Sequence, residues 1–146
     1  MDLQSFYPYQ LAVLAEAVSQ AMAQVYAERF DLSRDEWRLV AGLAELGPTR
    51  TTELMAYSTL QKMPASRAAA SLEARGLIER SPAADDRRNH VLKLTPAGAA
   101  LVRKIEPMVK AREQFLLDAL SLQEQATLAS AHAKLLARTQ QMLSQG

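Results

Sequence analysis

Cysteine is absent from the 146 residues, which excludes disulfides, a thiolate zinc site and a cysteine redox sensor. The two histidines, His90 and His132, stand far apart, and neither belongs to a metal-spaced motif. No apolar run is long enough to span a bilayer, and the first residues lack the basic flank and apolar stretch of a signal peptide. The expected compartment is the cytoplasm. A Gly-rich phosphate loop is missing, and Asp85 and Asp86 are adjacent on one turn, which is no catalytic pair of opposed carboxylates. The expectation is a protein that is not an enzyme and holds neither cofactor nor metal. Aromatic residues make up only 5%, while alanine and leucine are abundant, so helices should dominate. With 49% hydrophobic and 23% charged residues, the chain can build the core of one small domain over residues 1–146.

The net charge of +1 hides an asymmetry. Residues 1–46 carry seven acidic side chains against Arg29, Arg34 and Arg38, whereas residues 47–112 carry twice as many bases as acids. A basic middle suits a phosphate-facing surface, although a solvated helical face gives the same count.

The apolar pattern predicts a first helix from near Pro8, with its stripe at Leu11, Leu14, Val18, Met22 and Val25. Ser33 and Glu36 form a capping box for a second helix carrying Trp37, Val40, Leu43 and Ala44, which stops at Gly47-Pro48. A short helix over 51–57, with Leu54 and Met55 inward, is followed by a turn at Ser58-Thr59-Leu60. A helix over 62–75 then ends at Gly76. Residues 77–80 and 91–94 read as two strands, with Pro82 and residues 85–89 forming the tip between them. Thr95 caps a long helix opened by Pro96 and expected to kink at Pro107. Its stripe is Leu101, Ile105, Met108 and Val109, extended by Phe115, Leu116 and Leu120. Ser121 and Glu124 cap a last helix with Leu122, Leu128, Leu135, Leu136, Met142 and Leu143. The expected architecture is mainly α: a winged helix-turn-helix over 33–97 with a small β-hairpin wing. The helices of 1–32 and 98–146 carry stripes that a two-fold partner would cover, so a homodimer is expected over a monomeric bundle.

The segment Leu72-Glu73-x-x-Gly76-Leu77-Ile78-x-Arg80, then Asp86-Arg87-Arg88, then Leu92-x-Leu94-Thr95-x-x-Gly98, resembles the MarR family of bacterial transcription regulators. Leu32-Ser33-x-x-Glu36-Trp37-Arg38 looks like the start of that family's second helix, and the resemblance runs from about Leu11 to Leu143. It implies a helical dimer with a winged helix-turn-helix in each subunit. It also implies a sequence-specific DNA-binding regulator, typically a repressor that leaves a palindromic operator when a small aromatic or phenolic effector binds. The chain departs from the family at Ala68-Ala69-Ala70, where many relatives carry larger apolar residues. This suggests a thinner recognition helix with a cavity beside it. Met63 and Pro64 stand where small polar residues are common.

On such a recognition helix, Gln61, Lys62, Met63, Ser66 and Arg67 are the residues to meet the major groove. Arg67 can pair bidentately with guanine or anchor a phosphate; Gln61 and Lys62 can read bases or only position the helix. Ser58 and Thr59 at the turn, and Arg50, Thr51 and Thr52 at a helix start, are candidate phosphate contacts. For the threonines, simple capping is an equal alternative. The resemblance points to Arg88 as the minor-groove residue of the wing. Arg87 fits a solvated loop better, Asp86 a structural partner that holds an arginine, and Asn89 and His90 additional phosphate contacts. Family members admit effectors between the dimerisation helices and the winged helix, which implies Tyr9, Val13, Trp37, Arg38, Met55 and Met63 as lining residues. Trp37 as plain core and Arg38 as a helix-end donor are equally good readings. An aromatic acid or its coenzyme A thioester is the ligand class implied. The alternative from a different class is a helical protein-interaction module without specific DNA binding.

Overall fold

The computed structural model describes residues 1–85 and 88–146; Asp86 and Arg87, two of the expected wing-tip residues, lie outside the described residues. A 3-10 turn at Leu3–Ser5 precedes helix α1 (Tyr7–Phe30), α2 (Arg34–Leu46), strand β1 (Thr49–Arg50), α3 (Thr51–Ser58) and α4 (Lys62–Ala74). Strands β2 (Ile78–Pro82) and β3 (His90–Leu94) follow, then α5 (Pro96–Leu117) and α6 (Leu122–Gln145). The chain divides into two compact units, Met1–Val109 and Lys110–Gly146. Among the described residues, no helix is long and apolar enough to cross a membrane.

In the first unit, local chemistry sets the helix ends. α1 stops where Asp31 enters the left-handed region at φ 53°, and the amides of Asp31 and Leu32 bond back to the carbonyls of Ala27 and Tyr26. α2 opens on the capping box, with the Ser33 hydroxyl accepting from the Glu36 amide and the Glu36 carboxylate accepting from the Ser33 amide. Gly76, at φ 71°, turns the chain from α4 into β2.

The sheet differs from the expected two-stranded hairpin. It has three antiparallel strands in the order β1-β3-β2, because Thr49 and Arg50 pair with Leu92 and Val91 on the free edge of β3. Such a two-residue strand is too short to leave a period in the sequence. Pro82 closes β2 opposite His90 rather than lying in the tip; at the end of an edge strand its missing N–H interrupts no ladder.

The core of this unit is built from Leu39, Val40 and Leu43 of α2, Leu54 of α3, Ala68, Ala69 and Leu72 of α4, and Ile78 and Leu92 of the sheet. It reaches past both ends of the 33–97 segment, through Val25, Tyr26 and Leu32 on one side and Val102 and Ile105 on the other. Two details correct the sequence reading: Ala44 is exposed, and Leu39 takes the inward position instead. Met55 is only half-buried, while Leu54 is sealed.

Thr95 locks the base of the wing. Its hydroxyl donates to the Gly76 carbonyl at 2.7 Å and accepts from the Gly98 amide at 3.1 Å, while its own amide donates to the Leu77 carbonyl at 3.1 Å. Pro107 sits inside α5 without ending it.

In the second unit, Ser121 and Glu124 form the capping box of α6, and the Gln125 side-chain amide donates to the carbonyls of Leu117 and Leu120. No residue of α6 is buried. Phe115 is 83% and Leu122 84% exposed, and Leu135, Leu136, Met142 and Leu143 are open as well.

Candidate nucleic-acid interface

The compact turn between α3 and α4 is carried by Thr59, at φ 56° an uncommon conformation for a β-branched residue. Its hydroxyl donates to the Ser58 carbonyl at 2.7 Å and lies 3.4 Å from the Arg38 guanidinium. α4 buries Ala65, Ala68, Ala69 and Leu72 and exposes Gln61, Lys62, Met63, Ser66, Arg67 and Ala70. Gln61 is the N-cap residue, yet its side chain makes no capping bond. All five residues expected to face the major groove are exposed, over the N-cap and the first turns of α4. Met63 is 66% exposed.

Two of the candidate phosphate contacts, Ser58 and Thr51, turn their hydroxyls to carbonyls of the chain itself. Ser58 is buried, and its hydroxyl lies 3.5 Å from the Arg38 carbonyl as the last residue of α3, so it is turned into the protein rather than toward a backbone phosphate. The Thr51 hydroxyl donates to the His90 carbonyl at 3.1 Å and ties α3 to β3. Thr52 and Thr59 remain exposed.

Arg50 occupies the N-cap position of α3, and its Nη2 lies 2.6 Å from both carboxylate oxygens of Asp85. The hydrogen bond from Arg50 holds the Asp85 carboxyl below its ordinary range. An aspartate holding an arginine was expected at the wing tip, at Asp86; among the described residues Asp85 plays this part toward Arg50. The sequence signal was the Asp85-Asp86 pair, with nothing to say which one would reach β1. At the wing, Arg88 is exposed and Asn89 half-buried, with the Asn89 carbonyl accepting from the Ala83 amide at 2.9 Å. His90 is half-buried at the start of β3.

The residues expected to line an effector site lie on four helices, α1 to α4. The Trp37 ring stacks on Tyr26, with centroids 5.7 Å apart and planes at 16°. Burial pushes the Tyr26 phenol above its ordinary range, against the pull of Arg38 and Arg34. Arg38 reaches Thr59, Met55 is half-buried on α3, Tyr9 is half-buried and Val13 exposed on the first half of α1, and Met63 belongs to the open face of α4. A cleft of about 270 Å³ does lie beside the alanine-rich α4, walled by Asp35, Glu36, Pro64, Arg67, Ala68 and Ser71, and none of the six expected effector residues lines it.

Sequence reasoning also missed a polar knot beside that cleft. Glu36, only 9% exposed, accepts from the Ser71 hydroxyl at 3.0 Å and lies 3.6 Å from the Arg75 guanidinium. Burial alone would raise its pKa; the hydrogen bonds from Ser33 and Ser71, together with the charge of Arg75, outweigh burial and hold it below the usual carboxylate range. The capping box was legible in the sequence, but Ser71, 35 residues away in α4, and Arg75 at its C-cap were not.

Residues 32–90 match the model of the MarR family. No curated protein matches the chain by sequence. Among solved structures, a probable transcriptional regulator from Pseudomonas aeruginosa is 28% identical, with 92% of this chain and 99% of that one covered at a TM-score of 0.75. BpsR of Bordetella bronchiseptica, whose DNA binding is regulated by 6-hydroxynicotinic acid, is 19% identical, with coverages of 92% and 96% and a TM-score of 0.82. NadR, solved in complex with 4-hydroxyphenylacetate, is 22% identical, with coverages of 92% and 95% and a TM-score of 0.74. The last two likenesses establish the fold alone. The match over residues 32–90 makes this segment, with its helix-turn-helix and wing on residues 49–94, similar to the winged helix-turn-helix of the MarR family.

Proposed function

We propose that the chain is a homodimeric, cytoplasmic repressor that binds a palindromic operator and leaves it when a small aromatic acid binds. The observation that carries the reading is the open face of α4, where Gln61, Lys62, Met63, Ser66 and Arg67 stand together with Arg88 exposed on the wing. Arg67 supplies the bidentate donor that guanine requires, and Lys62, Arg50 and Thr52 supply phosphate contacts that fix register without reading sequence. Arg88 enters the adjacent minor groove, where A·T-rich narrowing attracts a guanidinium. The uncovered leucines of α1 and α6 support the dimer, with 1–32 and 98–146 as the dimerisation helices, because a two-fold axis lets the same apolar surface cover itself.

The effector class rests on analogy with two structural neighbours whose ligands are hydroxylated aromatic carboxylates. Arg38 is the carboxylate partner in this reading, with Trp37 and Met55 the apolar wall and Tyr9, Val13 and Met63 at its margin.

Enrichment of duplexes from a randomised pool tests the reading. The expected outcome is a palindrome whose half-sites lie about one helical turn apart. A pool that stays random favours a helical protein-interaction module instead.

A further inference from the structure

We propose that Arg75 is a positioning residue for DNA reading, which fixes the tilt of α4 by clamping its C-terminal end to the corner between α1 and α2; this rests on the DNA-reading role proposed for α4. Arg75 is the C-cap residue of α4. Its guanidinium donates to the Asp31 carbonyl at 2.7 Å and the Phe30 carbonyl at 3.1 Å, and lies 3.6 Å from the Glu36 carboxylate. One planar cation thus serves the C-terminal end of α1, where carbonyls lack helical partners and a positive charge is favoured, and the capping box of α2. Ser71, one turn earlier on α4, bonds the same carboxylate at 3.0 Å.

The clamp matters because the apolar side of α4 is unusually smooth. Its buried residues are three alanines and Leu72, which allow close approach but offer few projecting side chains to interlock with a neighbour. Orientation then depends on directional polar bonds. α4 has 13 residues, and its candidate base-reading turn lies at the end opposite Arg75. Over a helix of roughly 18 Å, a tilt of about 5° moves the far end by roughly 1.5 Å. A bidentate base contact tolerates only tenths of an ångström beyond hydrogen-bond distance. Phosphate contacts from long cationic side chains survive such a shift, because they act through charge. Loss of the clamp therefore removes sequence discrimination and spares sequence-independent binding.

Fluorescence anisotropy tests this on two probes: the duplex that the wild type enriches from a randomised pool, and a shuffled duplex of equal length. Arg75→Gln should weaken binding to the enriched duplex at least tenfold and change the shuffled one less than twofold, with the salt dependence unaltered. Arg75→Lys, which keeps a charge near Glu36 but cannot serve both carbonyls, should fall between. Ser71→Ala should act in the same direction more weakly; it and Arg75→Lys carry the test if Arg75→Gln does not fold. Equal weakening on both duplexes with a shallower salt dependence would make Arg75 a phosphate ligand and overturn the inference. Variants that melt earlier but keep the wild-type ratio would overturn it too, leaving Arg75 a structural residue only. A wild type that enriches no duplex overturns the DNA-reading proposal itself, and this inference with it.

Discussion

Replacing Gly98 by alanine sets a methyl group against backbone that has nowhere to go. A Cβ at this position runs into the Leu77 carbonyl oxygen, and it would also lie 3.0 Å from the Leu77 carbonyl carbon and 3.2 Å from Leu94 Cδ2. The oxygen cannot retreat freely, because it accepts the Thr95 amide at 3.1 Å. Relief requires the first turn of α5 to move off the base of the wing. Overpacking of this kind costs about 1–3 kcal/mol. Losing the Thr95 bond adds about 1 kcal/mol. Helix propensity works the other way, since alanine is favoured over glycine by up to about 1 kcal/mol. The net loss is then about 1–3 kcal/mol, which for a chain of this size lowers Tm by roughly 3–10 °C. Thermal unfolding followed by circular dichroism reads the shift, and anisotropy on the enriched duplex should show weaker binding, because β2 starts at Ile78, next to the displaced carbonyl. A Tm that stays the same or rises would refute the reasoning: propensity would have won, and α5 would not be pinned to the wing.

Three further outcomes follow from the same contacts. Asp85→Asn removes the carboxylate that Arg50 Nη2 meets at 2.6 Å, so binding to a shuffled duplex should strengthen and its salt dependence steepen by roughly one counterion; an unchanged slope would mean that Asp85 does not hold Arg50 back from DNA. Glu36 titrates below its ordinary range in the folded chain, so its contribution to stability is complete above the unfolded value near pH 4.5 and is lost as pH falls through the folded value. Urea unfolding between pH 6 and pH 3 should therefore show a steeper decline for the wild type than for Glu36→Gln, and parallel declines would contradict the assignment. Sedimentation at micromolar concentration should show one dimeric species, whereas a folded monomer that binds the enriched duplex tightly would remove the role given to the leucines of α1 and α6.

Local signals were the legible ones. Both serine capping boxes, the Thr95-Pro96 helix start and the Gly76 turn rest on residues a few positions apart, and each stands where its spacing placed it. The open face of α4 was legible for the same reason, since 3.6-residue periodicity separates Arg67 and Lys62 from Ala65 and Ala68. What escaped depends on pairs distant in sequence. Thr49 and Arg50 become a strand only because β3 offers an edge, Asp85 meets Arg50 across 35 positions, and Arg75 reaches Asp31 across 44. Ser58 was misplaced by one residue of helix: the sequence put it in the turn, but α3 continues through it and turns its hydroxyl inward. Gly98 was visible as part of a motif, while the reason for it, the Leu77 carbonyl, was not.

The proposed function stands or falls with sequence reading by the exposed face of α4. Anisotropy of the wild type and Arg67→Ala, on the enriched and the shuffled duplex across a salt titration, tests it most directly. The wild-type affinity ratio should be at least about 10³ near physiological salt. Arg67→Ala should lower this ratio by weakening the enriched duplex more than the shuffled one. A wild-type ratio near one at every salt concentration would contradict the account.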